Sequence, residues 1–255
     1  MKAKNGDGST CHADQFKTTR WSVVLCADPA HASKGGNSAL GQLCQTYWRP
    51  IFAFICRRGY SISDAQDLTQ DFFVRVLEGN LLKLADPNRG RFRSLLLKSL
   101  KNFLADASEK RHAQKRGGKV DFVSWEDWMA EAPSQLSVPV ETLESLSPER
   151  VFDLRWAATI VERALRRLRE ECEGRGRRRL FDLVSGYLTI DRAEISYATI
   201  AQRVGVPEAE VKRLLHRMRQ RYRELLRSEV AHTVADPGDV DEEIRYLCTA
   251  LAAAD

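Results

Sequence analysis

Apolar positions recur at the helical period along almost the whole chain. Leu40, Leu43, Tyr47, Ile51, Phe54 and Ile55 mark one helix, with an interruption or kink expected at Pro50 and Gly59 as its C-cap. Ser61 or Ser63 then caps a second helix built on Ala65, Leu68, Phe72, Phe73, Val76 and Leu77, closed by Gly79. Asp86-Pro87-Asn88 reads as a turn. A third helix follows from about Arg91 to Arg111, with Phe92, Leu96, Leu100, Phe103, Leu104 and Ala107 inward and Lys98, Lys101, Lys110 and Arg111 outward. This half carries no alternating strand pattern.

Past Gly117-Gly118 the period is lost until about Arg150. It resumes with Trp156, Ile160, Val161, Ala164, Leu165 and Leu168, breaks at Gly174 and Gly176, and returns with Leu180, Phe181, Val184 and Leu188. Ser196 caps a short helix on Tyr197, Ile200, Ala201 and Val204. Gly205 breaks it, and Pro207 opens a long helix carrying Val211, Leu214, Leu215, Met218, Tyr222 and Leu225. A last amphipathic stretch has Val240, Ile244, Leu247 and Leu251. The expected class is all-α. The expected division is an N-terminal extension (1–38), a first helical domain (39–116), a linker (117–149), a second helical domain (150–230) and a C-terminal amphipathic tail (231–255).

Charge sharpens that division. The chain has 255 residues and a formal net charge of only +5, yet the charges are segregated. Between Arg89 and Lys119 ten Lys and Arg stand against Asp106 and Glu109, whereas Asp121 to Glu149 holds seven acids and no base. Nine bases against four acids lie between Arg155 and Arg179, and seven against three between Pro207 and Arg227. Basic helices on both sides of an acidic linker suggest two polyanion-binding modules. The cysteines (Cys11, Cys26, Cys44, Cys56, Cys172, Cys248) lack disulfide or zinc spacing, and Cys44, Cys56 and Cys248 read as small core residues. No apolar run approaches the roughly 18 residues of a membrane span, and the charged start has no secretory h-region. The expectation is a cytoplasmic globular protein.

Two constellations point to function. Ser196 to Leu226 has the pattern of a helix-turn-helix: Ala201 is small where two helices approach, Gly205 permits a left-handed turn residue, and Pro207 pre-sets the next helix. Its polar front would be Glu208, Glu210, Lys212, Arg213, Arg217 and Arg221, with the first residues near base edges and the later ones near phosphates. The second is an acidic ridge, in which Asp64, Asp67 and Asp71 share a helix face with Gln70 beside them. Asp67 and Asp71 are spaced to converge on Mg²⁺. The His, Lys or Gly-rich phosphate loop that phosphoryl chemistry usually needs does not accompany them, and no G-x-S-x-G, G-K-[ST] or H-E-x-x-H motif occurs. The reading is a non-enzyme with no catalytic residue, metal or cofactor.

The run Asp64-Ala65-Gln66-Asp67-Leu68-Thr69-Gln70-Asp71-Phe72-Phe73 resembles region 2.2 of the extracytoplasmic-function (ECF) sigma factors of bacterial RNA polymerase. Arg89-Gly90-Arg91-Phe92-Arg93-Ser94-Leu95-Leu96, continuing to Lys101-Asn102 and Asp106, resembles regions 2.3 and 2.4. Tyr197-Ala198-Thr199-Ile200-Ala201 through Val211-Lys212 and His216-Arg217 resembles region 4.2. The opening from Thr18 to Leu25 and the acidic tail are similar to those of a long-chain ECF-like subgroup. The family often has Trp, Glu and Arg where this chain has Leu95, Thr199 and Leu214.

The resemblance implies a sigma factor that binds core RNA polymerase and directs promoter recognition and transcription initiation. It implies that Asp64, Asp67, Gln70 and Asp71 dock on the polymerase clamp, and that Arg91, Arg93, Lys98, Lys101 and Asn102 bind the downstream promoter element and its non-template strand. Phe92 and Phe103 are candidates for base stacking, but their helical spacing favours core packing. The acidic linker with Trp125 and Trp128 would thread a basic polymerase channel. An anti-sigma factor is a candidate further partner, and the terminal extensions could substitute for one by folding over a module. Two rivals use the same residues differently: a stand-alone helix-turn-helix transcriptional regulator, and a Mg²⁺-dependent nuclease or recombinase built on the three aspartates.

Overall fold

The computed structural model describes residues 34–78, 91–114, 145–188, 195–234 and 236–252. Among them are eight α-helices and no strand, as the helical periodicity requires. The first is α1 (Lys34–Arg57), which runs through Pro50 without interruption. Proline in a helix interior forfeits a backbone hydrogen bond. Here Pro50 is buried beside Ile51, Phe52, Ala53, Phe54 and Ile55, and that packing holds the helix through it. Gly59 takes φ 88° after α1, and its N–H donates to the Cys56 carbonyl at 2.9 Å. Ser61 caps α2 (Ile62–Glu78), its Oγ accepting from the Asp64 N–H at 3.2 Å. Then come α3 (Phe92–Gln114) and α4 (Pro148–Gly174), the latter with Ser147 at its N-cap and Pro148 opening the first turn.

After α4 the chain forms α5 (Arg178–Val184), α6 (Tyr197–Val204), α7 (Glu208–Ala231) and α8 (Val240–Ala252). The expected closure at Gly79, the turn at Asp86-Pro87-Asn88, most of the 117–149 linker with Trp125 and Trp128, and nearly all of the N-terminal extension lie outside the described residues.

Two apolar cores form, and they do not part at the acidic segment. The first gathers α1, α2 and α3 together with Val151 to Val161 of α4, Val230 at the end of α7, and Val240, Leu247 and Ala250 of α8. The second gathers Ala164 and Leu168 of α4 with α5, α6 and most of α7. Helix α4 therefore contributes to both cores, changing over just beyond Val161, and Val240, Leu247 and Ala250 of the C-terminal stretch pack in the first. The cause is in the sequence of α4: Val151, Phe152, Leu154, Trp156, Ala157, Ile160 and Val161 point around the whole helix, and every residue from 151 to 161 is buried. A helix segment that carries apolar residues on every side, with Asp153, Arg155 and Thr159 buried among them, needs cover on all sides. Here α1, α7 and α8 provide it.

Aromatic contacts fasten the first core. Phe54 meets Phe152 edge-on with centroids 6.5 Å apart, Tyr47 meets Phe92 at 5.6 Å, and Phe72 meets Phe103 at 5.5 Å. Phe92 is buried and Phe103 half-buried, so both serve as core residues in this conformation. Cys44 and Cys56 are half-buried, whereas Cys248 is exposed, contrary to expectation. Its position, one residue past Leu247, turns it away from the buried stripe of α8.

Between the cores, charged groups tie three helices. The Glu229 carboxylate of α7 accepts from Arg163 Nε at 2.9 Å and Arg167 Nη1 at 2.8 Å, both on α4. Arg163 also donates to Thr46 Oγ1 of α1 at 2.9 Å, and Arg49 of α1 donates to Glu162 at 2.6 Å. Burial pushes the Glu229 pKa up, but hydrogen bonding from Arg167 and the charge of Arg163 outweigh it and hold the pKa below the ordinary 4.5. A carboxyl whose pKa falls on folding stabilises the fold above its unfolded value and loses that contribution as pH falls below 4.5 through the folded value. The melting temperature of Glu229→Gln should therefore lie furthest below that of the parent chain near neutral pH and converge with it in acid. Parallel melts across that range check this, and a constant difference would exclude the linkage.

Candidate nucleic-acid interface

Helices α6 and α7 are joined by a short turn at Gly205–Pro207. Gly205 adopts φ 75° and ψ 30°, a left-handed conformation, and its N–H donates to the Ala201 carbonyl at 2.8 Å. A side chain at this position would be strained, which is why glycine fits the turn. Pro207 stands at the N-cap of α7, and its carbonyl accepts from the Glu210 N–H at 2.9 Å and the Val211 N–H at 3.2 Å. Ile200, Val211, Leu215, Met218 and Leu225 bury the shared face of α6 and α7. Ser196 occupies the N-cap of α6, but its hydroxyl pairs with that of Thr199 at 2.8 Å instead of capping an N–H.

Glu208, Glu210, Lys212, Arg213 and Arg217 are all exposed on α7, forming the expected front. Lys212 bonds Glu208 at 2.7 Å one turn back and lies 5.1 Å from the Tyr197 ring centroid. Arg221 differs. Its guanidinium grips both oxygens of Glu171 on α4, at 2.8 and 2.7 Å, and also bonds Glu224 at 2.7 Å. Those bonds raise the Arg221 pKa and lower that of Glu171. Arg221 thus holds α7 to α4 and is not a free phosphate ligand in this conformation. Arg219 is buried and donates to the Tyr187 carbonyl at 2.9 Å.

On α3 the expected DNA-binding set separates into two ends. Lys98, Lys101 and Asn102 are exposed, with Lys101 2.8 Å from Glu149. The side chains of Lys110 and Arg111 lie outside the described residues. Arg91 is half-buried and Arg93 only 5% exposed, so the expectation of an open basic surface at these two positions is corrected.

Two helices, α4 and α8, make the cage around Arg93 of α3. Its Nη1 donates to Asp153 of α4 at 2.6 Å and its Nε to Glu243 of α8 at 3.3 Å. The guanidinium carbon stands 4.1 Å from the Tyr246 ring centroid and 4.9 Å from that of Trp156. The Tyr246 hydroxyl donates to the other Asp153 oxygen. Burial pushes the Arg93 pKa down, but Glu243 and Asp153 more than offset it and keep the group charged. Arg91 Nε lies 2.9 Å from the second oxygen of the fully buried Glu243, and Arg91 also pairs with Glu242. The clue in the sequence is an acid in an apolar stripe: Val240, Glu243, Leu247 and Ala250 follow one helix face.

The acidic ridge lies on α2. Asp67, Gln70 and Asp71 are exposed along one face, continued by Val74 at 49% exposure, while Asp64 is half-buried in the capped first turn. Arg75 flanks this face, bonding Asp106 at 3.0 Å and lying 5.7 Å from the Phe103 ring centroid. Among the described residues, no three or more His, Cys, Asp or Glu side chains gather as a metal site would require, and no helix is long and apolar enough to cross a membrane. No family model, curated protein or solved structure matches this chain.

Proposed function

We propose that the chain is a sigma-type initiation subunit, which binds core RNA polymerase through the α2 ridge and promoter DNA through α3 and the front of α7. The observation that carries this reading is the coexistence of two exposed surfaces of opposite character. One is the acidic Asp67–Gln70–Asp71 face around Val74, and the other is the polar and basic front of α7 behind a left-handed glycine turn. A stand-alone DNA-binding regulator has use for the second surface only. The deciding experiment is transcription from a promoter library with purified core polymerase, with and without the chain. Promoter-specific transcripts that depend on the chain support the reading. DNA binding without polymerase binding or transcripts would leave the stand-alone regulator instead.

The front of α7 gives a finer expectation. Arg213 lies near the N-terminal end that would enter the groove, and Arg217 one turn further on would meet a phosphate. Arg213→Ala should cost roughly 1–3 kcal/mol at one base position and relax the preference there, whereas Arg217→Ala should weaken all sequences alike and lower the salt slope by about one unit. Selection from a randomised upstream element at fixed salt distinguishes the two. Equal, sequence-independent losses would remove α7 as the reader.

A further inference from the structure

We infer that α8 is an intramolecular competitor for nucleic acid, whose Glu242 and Glu243 occupy Arg91 and Arg93 where backbone phosphates would otherwise bind. This rests on the reading of α3 as a DNA-binding helix. Along α3 Lys98 and Asn102 are exposed and Lys101 is exposed but paired with Glu149, whereas at its start Arg91 is closed by α8 and Arg93 by α8 together with Asp153 of α4. Carboxylate and phosphate oxygens satisfy a guanidinium in the same planar, charge-assisted way, so one can replace the other on the same arginines. No acid stands in the first turn of α3, whereas the first turn of α8 carries Asp241, Glu242 and Glu243.

The contact is graded from rim to interior. The Glu242 side chain is 61% exposed, so its bond to Arg91 is open to competition by solvent ions and phosphates. Glu243 is fully buried and closes the site behind it. Asp241 pairs with Arg227 and thereby pins the start of α8 to α7. The remaining grip is the Tyr246 hydroxyl on Asp153 with its ring against Arg93, and the apolar packing of Val240, Leu247 and Ala250. The connection from α7 includes a Pro237–Asp239 turn, in which Asp236 accepts from the Gly238 N–H at 2.7 Å. Stability alone gives little reason to bury an arginine with two carboxylates, since apolar residues of similar volume commonly do as well or better. A cation kept for a second, anionic partner does give one.

The test uses the full chain. Asp241→Arg with Glu242→Arg changes two exposed residues, repels α8 from Arg227 and Arg91, and leaves the buried groups intact. Glu170→Arg with Asp182→Arg makes the same charge change at exposed positions elsewhere and corrects for general attraction to DNA. With a fluorescent mixed-sequence single-stranded DNA at fixed salt, the α8 variant should bind about tenfold more tightly than this charge-matched control, because releasing α8 raises the competent fraction. Amides of residues 240–252 should exchange faster in the variant, and also in the parent chain once DNA is saturating.

Faster exchange in the variant with affinity equal to the control would overturn the competitor role while leaving DNA binding by α3 in place. Should the variant fail to fold, the parent chain decides: α8 exchange unchanged by saturating DNA overturns the proposal. If Lys98→Glu with Lys101→Glu leaves binding unaltered in the parent and variant chains, the α3 reading itself fails and the competitor role falls with it.

Discussion

Arg93→Ala should destabilise the chain by about 3–5 kcal/mol, the cost of removing one partner from a buried ion pair. Asp153 and Glu243 both face this guanidinium from buried positions, and Trp156 and Tyr246 stack on it. Truncation would leave Asp153 with only the Tyr246 hydroxyl and Glu243 with only Arg91, and would remove the surface on which two aromatic rings rest. Lys98→Ala, on the exposed part of the same helix, should stay within about 0.5 kcal/mol of the parent. Urea unfolding of both variants makes the comparison. A loss at Arg93 no greater than that at Lys98 would show that the cage contributes nothing to stability. Arg93→Met separates the two halves of the effect, since it keeps much of the apolar volume while still stranding the carboxylates.

The helices were legible because each half-exposed element repeats its apolar residues at the helical period. So Leu96 and Leu100 of α3, and Leu215 and Met218 of α7, fall where the spacing puts them. The turn at Gly205 was legible for a different reason, since a left-handed residue has a strong preference for glycine. The division of the cores was not. Acid content and proline mark the 117–149 stretch, most of which lies outside the described residues, but they say nothing of how burial is shared, and α4 contributes to both cores. The signal is the start of α4, where Val151, Phe152 and Leu154 precede the Trp156–Leu168 stretch that shows the helical period.

The charged positions were the least legible, because net charge does not say whether a charge faces water. Arg93, Arg217 and Arg221 look alike in a basic run, yet one is caged, one exposed and one bound to Glu171. Which fate applies depends on an acid 150 residues away for Arg93 and 50 away for Arg221. Partners so distant leave no local periodicity behind. Glu243 carried the only readable trace, as an acid in line with Val240, Leu247 and Ala250.

If the chain docks on core polymerase through α2 as proposed, Asp67→Lys combined with Asp71→Lys should reduce that affinity by roughly a hundredfold or more, since like charges across an interface cost several kcal/mol. Both residues are exposed on α2, one turn apart, with Gln70 beside them and Val74 one turn beyond Gln70. That arrangement is an apolar point rimmed by acids, suited to a basic surface that carries its own apolar contact. Neither residue supports the core, which takes Ala65, Phe72, Phe73 and Val76 from the other side of the same helix. The helix start is secured separately by Ser61. Surface substitutions of this kind usually change stability by no more than about 0.5 kcal/mol, so a folded variant is expected. Two further substitutions extend the argument. Val74→Ser should weaken binding without altering its salt dependence, whereas Asp67→Asn with Asp71→Asn should weaken it and flatten that dependence. Titration of labelled polymerase at two salt concentrations measures all three. If the folded double reversal binds polymerase as the parent chain does, α2 is not the docking face, and its acids are simply solvated.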